Sequence, residues 1–229
     1  MNSTAPDIAG PVLAVDTSTT IAGIALYRGG PLFEHVWCAG RQHSTQVLPL
    51  IERSLRLVEV SPRDLRCVGV AIGPGSYTGV RVGIAIAQGL ALGLDIPCYG
   101  VPTLDLAVLS TGRRHGRVLA VIEAGRGRSI VAGYTLEEGV PRCVVAAANV
   151  DDDGLVNAAR ALAPCLVTGE LSVPARERVA LEPDDVELAT PAASIRRPAL
   201  LAELVSKRLQ CGILPEAASP EPIYLSRAT

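Results

Sequence analysis

At 229 residues the chain can bury a sizeable core as one large or two small domains. Hydrophobic residues make up 48% and charged residues 19%, which excludes a disordered chain, and a formal net charge of −2 excludes a global pull on a phosphate backbone. With aromatic residues at 3%, the core is left to Val, Leu, Ile and Ala.

All basic residues but Lys207 are arginine. Cysteines 38, 67, 98, 143, 165 and 211 form no CxxC pair, so buried free thiols in a reducing cytosol are expected rather than a zinc site or disulfides. Met1–Gly10 has no basic region followed by an apolar core, and the apolar run 82–94 is short for a bilayer. These features predict a soluble, cytoplasmic protein without membrane contact.

In chain order, Val12–Asp16, Ile21–Tyr27 and Leu32–Cys38 read as strands, the second closed by the turn signal Arg28-Gly29-Gly30. A helix fits 44–58, with Ser44 as a cap and Val47, Ile51, Leu55 and Val58 on one stripe; Pro49 predicts a late start or a kink. Ser61-Pro62-Arg63-Asp64 reads as a capped turn before a strand over Cys67–Ile72. A long helix to about Leu94, a strand at 97–100 and a helix from Pro102 follow. Further on, Arg117–Glu123, Ser129–Leu136 and Arg142–Ala146 read as strands, then a helix over Leu155–Leu162, a strand over Cys165–Thr168 and a last helix over Pro198–Gln210. The tail from Pro215 to Thr229 reads as extended. Three strands followed by alternating helix and strand, occurring twice, predict two related α/β lobes, 1–104 and 105–229.

Asp16, Thr17, Ser18 and Thr19 follow an apolar strand directly. An acid among hydroxyls in a hairpin can hold a magnesium-bound water and a phosphate oxygen, and a plain β-turn accounts for the same residues. Gly73-Pro74-Gly75-Ser76-Tyr77-Thr78-Gly79 lies between a strand and a helix. It is not a Walker A loop, since Gly79 is followed by Val80-Arg81. Free N–H groups there could take an anion, and a strand-to-helix turn with Ser76 as cap explains the glycines equally.

In the helix behind that loop, Gly79, Gly83, Ala87 and Ala91 recur every four residues beside the apolar stripe Val82, Ile86, Leu90 and Leu94. A helix apolar nearly all round must be covered nearly all round. The small-residue face predicts close approach of a second helix, either 44–58 of this chain or one from a partner.

The histidines 35, 43 and 115 offer no HxxxH or HExxH spacing, so no metal site is expected. No Ser/His/Asp set can be assembled, so no catalytic residue is assigned. His43 beside Ser44 reads as a helix-entry hydrogen bond. Asp151-Asp152-Asp153 reads as a helix cap rather than a divalent site. Arg113, Arg114, Arg117, Arg126 and Arg128 read as a solvated face or a tRNA contact.

Val12-Leu-Ala-Val-Asp-Thr-Ser-Thr19, His43-Ser44 with Leu48-Pro49, and Gly73-Pro-Gly-Ser-Tyr-Thr-Gly-Val-Arg-Val-Gly83 together resemble the TsaB (YeaZ) family. Gly100-Val-Pro-Thr-Leu104 and Pro222-Ile-Tyr-Leu225 fit the same pattern, whereas Glu123-Ala-Gly-Arg126 departs from the family's more usual Asp-Ala-Arg. The resemblance implies an actin-like fold of two ribonuclease-H-like lobes. It further implies a non-catalytic scaffold in the bacterial complex that transfers threonylcarbamoyl to N6 of adenosine 37 in tRNAs reading codons that begin with A. It places Asp16–Thr19 as a vestigial phosphate hairpin, with ATP or ADP and magnesium used by the complex rather than held tightly by this chain. It also implies a helix-bundle interface on 44–58 and 79–94, made by Val47, Ile51, Leu55, Arg81, Val82, Gly83, Ile86, Ala87 and Leu90. The implied partners are the catalytic TsaD paralogue and a TsaE-type ATPase, with a homodimer when TsaD is absent and tRNA contact only through the complex. The competing reading is a small-molecule or sugar kinase of the same superfamily, with Asp16 as the metal-water ligand. A metal-dependent peptidase ranks last.

Overall fold

The computed structural model describes residues 10–40, 42–215 and 219–225. The chain divides into two units. The first is drawn from Met1–Ile72, Tyr77–Val101 and Pro198–Pro222, and the second from Gly73–Ser76, Pro102–Arg197 and Ile223–Thr229.

In the first unit, β1 (Val12–Asp16), β2 (Ile21–Tyr27) and β3 (Pro31–Cys38) form an antiparallel meander. β4 (Cys67–Ala71) and β5 (Cys98–Val101) add in parallel on the other side of β1, giving the order β3-β2-β1-β4-β5. α1 (His43–Leu57) leads through a one-turn helix at Pro62–Asp64 into β4, and α2 (Tyr77–Leu94) joins β4 to β5. Strand alternation sends Leu13, Val15, Ile24, Leu26, Val68 and Val70 to the side covered by α1 and α2.

The opposite side of the same strands carries Ala14, Gly23, Ala25 and Gly69. Onto it lies α6 (Pro198–Gln210), contacting β1, β2 and β4. A Cβ at Gly23 would collide with Pro198, and one at Gly69 with Leu201 and Val205, so the missing side chains let the helix down onto the backbone. The boundary expected at 104/105 needs correction here: α6 belongs to the first unit, whose sheet it covers.

The second unit repeats the plan. β6 (Gly116–Gly125), β7 (Arg128–Glu137) and β8 (Val140–Asp151) are antiparallel, β9 (Cys165–Gly169) and β10 (Val186–Leu188) join β6 in parallel, and the order is β8-β7-β6-β9-β10. α3 (Thr103–Leu109) packs on Val118, Ala120 and Ile122, while α4 (Asp152–Leu162) and α5 (Val173–Val179) pack on Leu119 and Val121 from the other side. This strand order is ribonuclease-H-like, and its occurrence twice is the actin-like fold expected from the sequence.

Several local expectations change. The α1 cap position is Gln42 rather than Ser44, without a side-chain cap bond, and the helix continues through Pro49 on its exposed side, where the carbonyl of exposed Thr45 loses an N–H partner at little cost. Ser61 and Asp64 do form the reciprocal cap of the short helix, and Asp151 caps α4 by accepting from Gly154 N at 2.9 Å. Of the six free cysteines, Cys67, Cys98 and Cys165 are buried but Cys38, Cys143 and Cys211 are exposed. In the tail, residues 219–225 form no regular element, while 216–218 and 226–229 lie outside the described residues.

Candidate functional site

The hairpin after β1 is closed on itself. None of Asp16, Thr17, Ser18 and Thr19 is more than 4% exposed. One carboxylate oxygen of Asp16 accepts from both the backbone N–H of Ser18, at 2.9 Å, and its hydroxyl, at 2.5 Å. The Thr17 hydroxyl donates to the Gly79 carbonyl at 2.7 Å. The Thr19 carbonyl accepts from His43 Nε2 at 2.7 Å, so His43 ties the hairpin to α1 instead of making the expected helix-entry bond. An open phosphate site needs donors directed outward. Here the hydroxyls of Thr17 and Ser18 and one Asp16 oxygen are engaged by the fold itself.

The glycine-rich segment is divided. Gly73, at φ +94°, exchanges two bonds with Thr103: its N–H donates to Thr103 Oγ1 at 3.1 Å, and its carbonyl accepts from Thr103 N at 2.8 Å. Gly75 and Ser76 stay with Gly73 in the second unit, while Tyr77, Thr78 and Gly79 open α2. Of the glycines here only Gly73 needs a positive φ. Arg81 lies 3.4 Å above the ring of Tyr77, both exposed at the start of α2.

The orientation of α2 corrects the expected interface. Gly79, Gly83, Ala87 and Ala91 are buried against the chain's own sheet, and a Cβ at Gly83 would collide with Thr17 Oγ1. Val47, Ile51 and Leu55 are likewise inside the core shared by α1, α2 and the sheet. Of the interface candidates, Val47, Gly83 and Ala87 are enclosed by the chain's own core, while Ile51 and Leu55, largely buried in that core, also border an outer groove. Arg81 is exposed, and Val82, Ile86 and Leu90 are half-buried at the flank.

The outward face belongs to Ala85, Gly89, Leu92 and Gly93. Leu92 is 86% exposed, and a Cβ at Gly89 or Gly93 would meet nothing within 4 Å. A second small-residue stripe, Ala85-Gly89-Gly93, therefore runs at the same four-residue spacing on the open side. Beside it, Leu48, Pro49, Leu55, Leu65 and Leu90 line an apolar groove of ≈ 360 Å³. The 18 residues of α2 have the length and apolarity of a membrane span, but one side of the helix is laid on β1 and β4. Among the described residues no three His, Cys, Asp or Glu side chains converge as metal ligands.

The fold defines a two-lobed protein of the actin-like class, in which the hairpin after β1 is bonded to itself and to the start of α2. A family model described as "TsaD: tRNA N6-adenosine threonylcarbamoyltransferase" matches residues 37–163. The chain is 40% identical over 129 residues to the tRNA threonylcarbamoyladenosine biosynthesis protein TsaB of Escherichia coli, covering 56% of each chain. To the TsaB of Bacillus subtilis it is 37% identical over 142 residues, covering 61% of each. It thus spans under two thirds of the length of these curated relatives. The solved structure of YeaZ from Pseudomonas aeruginosa superposes with a TM-score of 0.73 at 25% identity, over 94% of this chain and 100% of that one. The chain belongs to the family that the matching model describes and, among its relatives, to the TsaB (YeaZ) proteins.

Proposed function

We propose that the chain is a non-catalytic subunit in tRNA N6-threonylcarbamoyladenosine formation, docking onto a TsaD-type transferase through the outward face of α2 and the groove beside α1. The observation that carries this reading is the pair Gly89 and Gly93. Each glycine inside a helix costs about 1 kcal/mol relative to alanine. Where a glycine packs on a sheet, as at Gly83, sterics demand it; at Gly89 and Gly93 nothing among the described residues does. A partner helix approaching closely would require that bare backbone, and Leu92, Leu48 and the flanking Val82, Ile86 and Leu90 supply apolar area around it.

In this reading the same face pairs with a second copy when no transferase is present. ATP and magnesium act in the assembled complex with a TsaE-type ATPase, tRNA is held through the partner, and the work is cytoplasmic. The bonded hairpin supports assigning no phosphoryl chemistry to Asp16, which sets aside the kinase reading.

The test is capture of the TsaD protein of the same organism by Gly89→Leu and Leu92→Asp variants. Both should melt no lower than the parent, since neither site packs inside the fold, and both should lose capture and in vitro tRNA modification. Undiminished capture by both folded variants would overturn the placement. Gly83→Leu cannot serve this purpose, because it strikes Thr17 in the core.

A further inference from the structure

The free edge of β5 opens into a cavity of ≈ 340 Å³ walled by Ile72, Ile213 and Pro220. Val68 N donates to the Pro97 carbonyl and Ile72 N to the Val101 carbonyl, so the odd-numbered residues of this strand turn toward β4. Alternation then leaves the backbone N–H and carbonyl of Gly100 on the outer side, facing the cavity that Gly100 helps to line.

Arg208, on α6, reaches the same cavity. Among the described residues it makes one hydrogen bond, a long one of 3.4 Å to the Gly100 carbonyl, and no described carboxylate pairs with it. Its charge is felt at Tyr99, whose phenol is raised first by burial and lowered by this arginine. Glu221 also lines the cavity and is exposed, without a hydrogen bond or ion pair of its own. Among the described residues, a cation and a carboxylate that each lack an ion pair thus share an apolar chamber with an outward N–H. A guanidinium next to an N–H matches a carboxylate, the acid matches an ammonium and disfavours a dianion, and the walls match an aliphatic chain.

We propose that this cavity binds a free aliphatic α-amino acid. Its carboxylate sits on Arg208 and Gly100 N–H, its ammonium faces Glu221, and its side chain lies against Ile72, Ile213 and Pro220. The inference is independent of how α2 docks.

Calorimetric titration of the full chain with leucine, leucinamide and N-acetylleucine tests it. Leucine should bind saturably, and the two analogues at least about tenfold more weakly, each lacking one charge. Arg208→Gln should lose leucine binding while melting normally, since its native bond is long. Glu221→Gln should fold normally and bind leucine and N-acetylleucine alike. Absence of saturable heat with leucine, equal binding of N-acetylleucine by the parent, or unchanged leucine binding in Arg208→Gln would each overturn the assignment.

Discussion

The hydroxyl oxygen of Thr17 occupies the place where a side chain on Gly83 would begin. That contact, together with the bond from Thr17 to the Gly79 carbonyl, seats the start of α2 on the hairpin after β1. Gly83→Ala should therefore destabilise the chain by about 1–3 kcal/mol through overpacking. Thr17→Ala alone should cost about 1 kcal/mol for the lost buried hydrogen bond. The double variant should cost clearly less than the sum, because removing Oγ1 makes room for the new methyl. Urea denaturation of the four proteins measures this, and strict additivity would refute the contact.

Leu201 is fully buried where α6 meets the sheet above Gly69. Leu201→Ala should cost about 2–5 kcal/mol. Amide exchange should quicken in β1 and β4 ahead of the strands of the second unit. Exchange quickening first in β6 or β7 would contradict the placement of this helix.

In the second unit, Arg196 pairs with Glu170, and its side chain is 2% exposed. Taking away one member of a buried pair leaves an uncompensated charge, so Arg196→Ala should cost about 3–5 kcal/mol. Arg196→Ala combined with Glu170→Gln should recover part of that loss in thermal unfolding. A single variant as stable as the parent would show that the pair contributes nothing.

Burial, and then the neighbouring Cys98, push the Cys67 thiol up to about 12; burial pushes Cys98 up to about 11. Thiolate is the alkylating form, so iodoacetamide on the native chain should modify exposed Cys38, Cys143 and Cys211 and spare Cys67, Cys98 and Cys165. Cys143, also raised by partial burial, should react more slowly than an unperturbed exposed thiol. The folded state holds the Cys67 and Cys98 protons more tightly than the unfolded chain, whose value is near 9.0. Their contribution to stability is complete below pH 9 and declines as pH rises toward 11 and 12. Denaturation midpoints across that range should fall, and Cys67→Ala should flatten part of the slope.

Much of the architecture is legible in the sequence. Val12–Asp16 and Ile21–Tyr27 stand out because apolar runs end at an acid and at Arg28-Gly29-Gly30. α5 and β10 escape notice because Val173–Val179 buries only Ala175 and Val179, and Val186–Leu188 is three residues long. Which stripe of α2 faces inward is also illegible locally: Gly79-Gly83-Ala87-Ala91 and Ala85-Gly89-Gly93 look alike, and only the position of the sheet separates them. A usable signal was the excess. One sheet consumes one bare stripe, so a helix carrying two has one left over. The closing of the hairpin is not legible in the sequence, because an acid among hydroxyls suits an open turn and a closed one alike, and the engagement of Thr17 with Gly79 needs three dimensions.

Because α6 is the last helix yet roofs the first sheet, the amino-terminal lobe is discontinuous in the chain. On the ribosome its strands emerge early and must wait, one greasy flank uncovered, while the whole of the other lobe is translated and can already fold. A premature stop before Pro198 would therefore cripple the end of the protein made first.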